Sequence, residues 1–326
     1  MKIYFSTAVV SRFLALSVFA LALLVQSAGA VILLGSGDPT YNTTAPTGTL
    51  ANSGWQYEGA WGSFLGTPIA PQYFIAARHV GGAVGQTFTF QGVAYTTTAY
   101  WDDPYTDFRI WKVSGVFPTY APLYSLYDEA GKTMVVIGRG TQRGSAVNTG
   151  YTLQTNTTTS TVSLKALGIT QKTAQKSFPG ATFKGDLMTF KSTTITTNYI
   201  SKGWKAGADD GVMRWGQSQV ASVSKYIVGK FDKNGGTNQA HLSSGDSSGA
   251  VFVQDSGVWK LAGINYAVDG PFGLTATDSF YGAIYEESGL YMGGSLVPDD
   301  GVVKPAGFFA TRITNRIAWI QSIVSQ

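Results

Sequence analysis

Hydrophobic positions along this chain fall into short runs rich in Val, Thr, Tyr, Phe and Ile, broken by Gly, Pro, Asn and Asp. Period-two alternation or an unbroken apolar stretch predicts strands at 87–90, 108–113, 133–137, 250–253 and 258–264. Helical spacing is scarce until the end of the chain. There Ile313, Ile317, Ile320 and Val324 recur at steps of four, three and four, which predicts an amphipathic closing helix over 311–324. Residues 144–200 are unusually Thr-rich, and their alternation predicts edge strands or long surface hairpins. The pattern as a whole is that of an all-β sandwich or barrel.

The first thirty residues depart from this pattern. Lys2 and Arg12 form a charged start, 13–25 an apolar core, and Ala28-Gly29-Ala30 a small-residue cleavage site. These are the parts of a secretion signal, so residues 1–30 are expected to be removed and the mature chain to be exported, to periplasm or medium. The apolar run is shorter than the roughly 20 residues of a membrane span, so no membrane association is expected after cleavage. Removing Lys2 and Arg12 takes the formal charge from +4 to +2, too weak a bias to imply a nucleic-acid partner.

The chain has no cysteine, which excludes a thiol nucleophile, a thiolate metal site and a redox dithiol. An exported chain without disulfides must rest on its core, and the mature length suffices for one large domain or two fused halves. With two histidines in the whole sequence, a metal held by histidines alone is disfavoured, and no cofactor is expected.

The densest chemistry lies in Gly245-Asp246-Ser247-Ser248-Gly249, a hydroxyl between glycines just before the strand at 250–253. A serine hydroxyl needs a base to take its proton and backbone donors to hold the oxyanion, and glycines permit the tight turn that aims those donors. Both histidines, His79 and His241, precede Ser247. The α/β-hydrolase order, Ser then acid then His, is therefore excluded for this turn. The subtilisin order needs a carboxylate before His79; Asp38 and Glu58 are available, but neither lies on a strong strand pattern. The order His, Asp, Ser remains.

Around His79 the chain reads Tyr73-Phe74-Ile75-Ala76-Ala77-Arg78-His79-Val80, and around Asp107 it reads Asp107-Phe108-Arg109-Ile110-Trp111-Lys112-Val113. Three further segments follow in order: 130–140, Leu261-Ala262-Gly263-Ile264-Asn265-Tyr266, and 305–313 with Trp319-Ile320. Together these resemble the trypsin/chymotrypsin-like serine proteases, specifically a bacterial, exported and cysteine-free member. The resemblance is collinear over about 60–323, apart from the Thr-rich insertion.

It implies two six-stranded antiparallel β-barrels with a C-terminal helix. Residues 31–127 would form the first barrel half, and 128–326 the second, with an insertion at about 144–200 and the closing helix; together they make one peptidase domain. It implies His79 as general base, Asp107 as its orienting carboxylate and Ser247 as nucleophile, with the backbone N–H groups of Gly245 and Ser247 as oxyanion hole. Asp102 and Asp103 are rivals for the role of Asp107.

His241 falls where the family places the floor of the primary specificity pocket, with Asn265 and Tyr266 on its wall. Histidine in place of an acid argues against Arg or Lys selection, and leaves open an acidic, polar or aromatic preference or a purely structural role. In the family the carboxylate before the nucleophile pairs with a new α-amino terminus; removal of the signal after Ala30 would expose Val31 to pair with Asp246 here, the alternative being an internal cation or backbone donor for Asp246. Two departures stand out: Arg78 replaces a small residue before the histidine, and Ser248 replaces the glycine after the nucleophile. The expected partner is a protein or peptide substrate. A protease-fold binding protein without activity is the competing reading, and an esterase a distant third.

Overall fold

A computed structural model describes residues 31–326; the expected secretion signal at 1–30 lies outside the described residues. Two closed barrels dominate, each of six antiparallel strands. Around the first run Gly59–Trp61, Phe64–Ala70, Tyr73–Ala77, Phe108–Val113, Val93–Asp102 and Thr87–Phe90. Around the second run Arg214–Val223, Tyr226–Lys230, Gly307–Arg312, Val258–Val268, Ala250–Asp255 and Thr133–Gly138. This is the chymotrypsin-like fold expected from the sequence.

Several strands are apolar at every position because each faces two cores. Successive side chains of a strand point to opposite sides. Phe74 and Ala76 fill the first barrel, while Tyr73, Ile75 and Ala77 pack between the barrels. Met134, Val136, Val251 and Val253 likewise fill the second barrel, while Val135, Ile137, Ala250 and Phe252 join the layer between. Burial on both faces explains why these strands read as continuous runs and not as alternation.

The closing helix is shorter than its sequence pattern suggested. The last strand runs to Arg312, because Thr311 pairs with Tyr226 and Arg312 with Gly263 to close the second barrel. A single helical turn at Thr314–Arg316 follows, then the helix Ile317–Val324. Ile313 and Ile320 are fully buried in the layer between the barrels. The helix thereby seals both halves.

The Thr-rich insertion is a long two-stranded arm, Thr141–Ser163 paired with Leu187–Asp209. Its far end carries a small core of its own, built on Leu164, Ala174 and Met188. At its root, Gly203, Trp204 and Lys205 pair with Ile284, Ala283 and Gly282. Residues 31–44, at the head of the described chain, lie on the second barrel. Ile32 pairs with His241 and Leu33 with Ala240, and Trp215 Nε1 donates to Thr44 O.

Candidate active site

The three residues singled out by chain order sit at ends of strands that border the layer between the barrels. His79 occupies the turn Arg78–Val80 directly after Tyr73–Ala77, and Asp107 immediately precedes Phe108–Val113. These strands pair, Ala77 opposite Phe108, so the two side chains emerge at one end of the first barrel. Ser247 lies just before Ala250–Asp255 of the second barrel. The structure brings all three together.

His79 Nδ1 donates to Asp107 Oδ2 at 2.5 Å, and the Ser247 hydroxyl donates to His79 Nε2 at 2.8 Å. Asp107 also accepts the His79 backbone N–H through Oδ1 at 3.0 Å, so one carboxylate fixes both ring and backbone. The rivals are occupied elsewhere. Asp102 pairs with Arg109 at 2.6 Å. Asp103 is fully buried, holding Arg316 through both oxygens at 2.6 Å and accepting from Thr106 Oγ1 at 2.5 Å. Asp38 is exposed, and Glu58 accepts from Thr67 at 3.0 Å. Of the carboxylates considered, only Asp107 reaches His79.

The turn at 243–249 is built on left-handed backbone. Gly245 has φ +93°, and a Cβ there would meet Gly140 Cα at 2.8 Å, so glycine is required. Asp246 N donates to Ser243 O and Gly249 N to Asp246 O, whereas the amides of Gly245 and Ser247 have no acceptor among the described residues. Two free N–H groups thus flank the Ser247 hydroxyl. Asn265 clamps the turn from behind: its Nδ2 donates to Ile137 O and Asp246 O, and its backbone carbonyl accepts from Ser248 N.

Ser248 adopts φ +70°, a conformation uncommon for a residue other than glycine, and is fully buried. Its hydroxyl oxygen accepts the Ala77 N–H at 2.9 Å. Arg78 is exposed, so its cation lies in solvent.

Asp246 is fully buried, and burial pushes its carboxyl up to about 6 despite hydrogen bonds from Ser243 and Gly140. The Val31 nitrogen approaches both oxygens, at 3.2 and 3.3 Å. Val31 has φ +57°, an outlier for a β-branched residue; a chain beginning at Val31 would have no such torsion to strain.

A cavity of about 290 Å³ opens beside Ser247, lined by Leu242, Ser243, Asn265, Tyr266, Val268 and Tyr281 among others. Asn265 and Tyr266 line it as the sequence suggested, and Tyr266 also meets the His79 ring edge-on at 5.9 Å. His241 does not line it. Its ring packs edge-on against Phe231 and Phe308, at 5.7 and 5.6 Å, and its Nδ1 donates to Leu242 O at 2.6 Å. Burial lowers its pKa to about 4, so it is neutral near pH 7. The correction follows from Phe231 and from Phe308 of the strand Gly307–Arg312, whose rings enclose the imidazole. His241 is left as a core residue.

Sequence reasoning missed Arg316, which anchors the loop carrying Asp107 through Asp103. The two lie 213 positions apart in the chain, and no local signal joins them.

No protein-family model matches the chain, and no curated protein matches it by sequence. Among solved structures, the chain is similar to neuropsin, a serine protease expressed in the limbic system of mouse brain. The identity is 12% and the TM-score 0.44, covering 83% of this chain and 96% of that one.

Proposed function

We propose that this chain is an exported serine endopeptidase that hydrolyses peptide bonds through an acyl-enzyme. The observation that carries the reading is the continuous hydrogen-bonded chain from Asp107 through His79 to Ser247, beside two unpaired backbone amides. His79 Nε2 takes the Ser247 proton as Oγ attacks the scissile carbonyl. The oxyanion forms against the N–H groups of Gly245 and Ser247, where one donor is typically worth about 3 kcal/mol. The imidazolium, held by Asp107, then gives its proton to the leaving amine, and the C–N bond breaks to leave the Ser247 ester. Water, deprotonated by His79, hydrolyses that ester and restores the hydroxyl. No cofactor enters.

The side chain before the cleaved bond would enter the cavity beside Ser247. Its one lining carboxylate, Asp246, is committed to Val31, Gly140 and Ser243, and His241 is neutral, fully buried and outside the lining. A charged side chain would lie there unpaired, at a cost of several kcal/mol. Uncharged side chains, apolar or aromatic, are therefore preferred. The reading extends to maturation: cleavage after Ala30 would free the Val31 amine to pair with Asp246, with no separate activation step. Digestion of a peptide library tests the specificity. Cleavage after uncharged residues is expected, and dominant cleavage after Arg, Lys, Asp or Glu would overturn the assignment of the cavity.

A further inference from the structure

We propose that Ser248 is a positioning residue, which sets the distance between His79 and Ser247 by tying the two barrels together beside them. The inference rests on the peptidase reading above. His79 and Ser247 belong to different barrels, so their 2.8 Å contact depends on how the halves meet. One residue after Ser247 and two before His79, a second bond spans the same gap: Ala77 N–H donates to Ser248 Oγ at 2.9 Å. Both partners are buried, Ser248 fully.

The Ala77 amide has no partner in its sheet. In the antiparallel pair of Tyr73–Ala77 with Phe108–Val113, Arg78 N donates to Asp107 O, so hydrogen bonding falls on alternate residues and the Ala77 N–H points away. On the other side, pairing with Phe64–Ala70 ends at Ile75. A buried amide without an acceptor is strongly disfavoured, and Ser248 Oγ is the acceptor supplied from the second barrel. The position needs left-handed backbone, at φ +70°, which glycine adopts freely and serine does not. A glycine would satisfy the backbone and leave the amide orphaned. Serine accepts backbone strain and makes the bond.

These two demands separate a positioning role from a turn-shaping one. Ser248→Gly removes strain and bond together; Ser248→Ala keeps the strain and removes the bond. Steady-state hydrolysis of a peptide substrate, thermal melting and hydrogen exchange at the Ala77 amide are measured on wild type and both variants. Expected for Ser248→Gly are a Tm near that of wild type, strain relief offsetting the orphaned amide, faster Ala77 exchange, and a kcat about tenfold lower with KM within about twofold, the pattern of a misplaced catalytic group. Ser248→Ala should show the same kcat loss with a lowered Tm. Wild-type kcat in Ser248→Gly would overturn the proposal, as would kcat losses that follow Tm across the variants. An active wild type equalled by Ser248→Gly sinks the positioning role alone. A wild type that hydrolyses no peptide overturns the peptidase reading, and this proposal with it.

Discussion

The sharpest consequence of the buried Asp246 concerns the proposed start of the mature chain at Val31. Burial raises the carboxyl from 3.8 to about 6, so ionising it near pH 7 without a countercharge costs about 3 kcal/mol. An ammonium on the Val31 nitrogen, at 3.2 and 3.3 Å from the two oxygens, would offer about 5 kcal/mol of attraction at an effective dielectric constant near 20. Attraction exceeds the penalty, so a free amine lowers the Asp246 pKa, offsets the cost that burial puts on its carboxylate and holds the turn that carries Gly245 and Ser247. The perturbation is to retain Ala30, which replaces the amine by a neutral amide. If the roughly 3 kcal/mol falls on the turn, kcat/KM at pH 7 drops about 100-fold.

The pH dependence is specific to this pairing. In the extended chain the raised Asp246 pKa means that the folded state binds more protons than the unfolded one between about pH 4 and 6. Stability therefore falls as pH rises through that window. In the chain starting at Val31, pairing raises the amine above its usual value near 8, so its contribution is full below that pH and lost as pH climbs through the raised value. The activity ratio of the two forms should rise from pH 5 to 7 and fall again in alkali. Peptide hydrolysis by both forms, each checked by N-terminal sequencing, measures it. Equal activity at pH 7, or a ratio flat from pH 5 to 7, would refute the pairing.

Other consequences follow from single contacts. Glu58 is buried with one oxygen unpartnered, and burial raises its pKa well above the usual value. The folded state therefore loses stability as pH rises from about 4.5; Glu58→Gln should melt higher than wild type at pH 8 and flatten that dependence in thermal scans. Arg316→Met strands the Asp103 carboxylate and should cost about 3 kcal/mol by urea denaturation, with a larger fall in kcat than in KM because Asp107 shares its loop. Replacing 152–198 by Asn-Gly between the paired Tyr151 and Tyr199 removes the distal arm with its separate core. The barrels should stay folded, with kcat/KM for a short peptide within about twofold of wild type; loss of cooperative melting would show that the arm is part of the core.

The strands were legible wherever they serve the two cores. Thr87–Phe90 and Phe108–Val113 coincide with the runs read from sequence, because burial selects apolar residues there regardless of distant partners. His79, Asp107 and Ser247 were legible through chain order and flanking runs. What escaped depends on contacts between remote segments. The flanking run favoured Asp107 over Asp103, but the partner that occupies Asp103, Arg316, arrives from the closing segment with no local signal. The place of His241 was set by Phe231 and Phe308, whose rings pack edge-on against it. Ser248 looked like a departure from a glycine-rich turn until Ala77 proved to be its partner, 171 positions away. The helix expected over 311–324 was over-long because Thr311 and Arg312 pair within the second barrel, partners the local spacing does not reveal, and the α-helix itself is Ile317–Val324.

The central claim is that Ser247 is a nucleophile activated by His79. Its most direct test is covalent labelling of the folded protein, beginning at Val31, with a fluorophosphonate, followed by peptide mapping. The account predicts one adduct, on Ser247, with loss of labelling in Ser247→Ala and a large decrease in rate in His79→Ala. No adduct on Ser247 in protein that melts cooperatively, or labelling indifferent to His79, would contradict it.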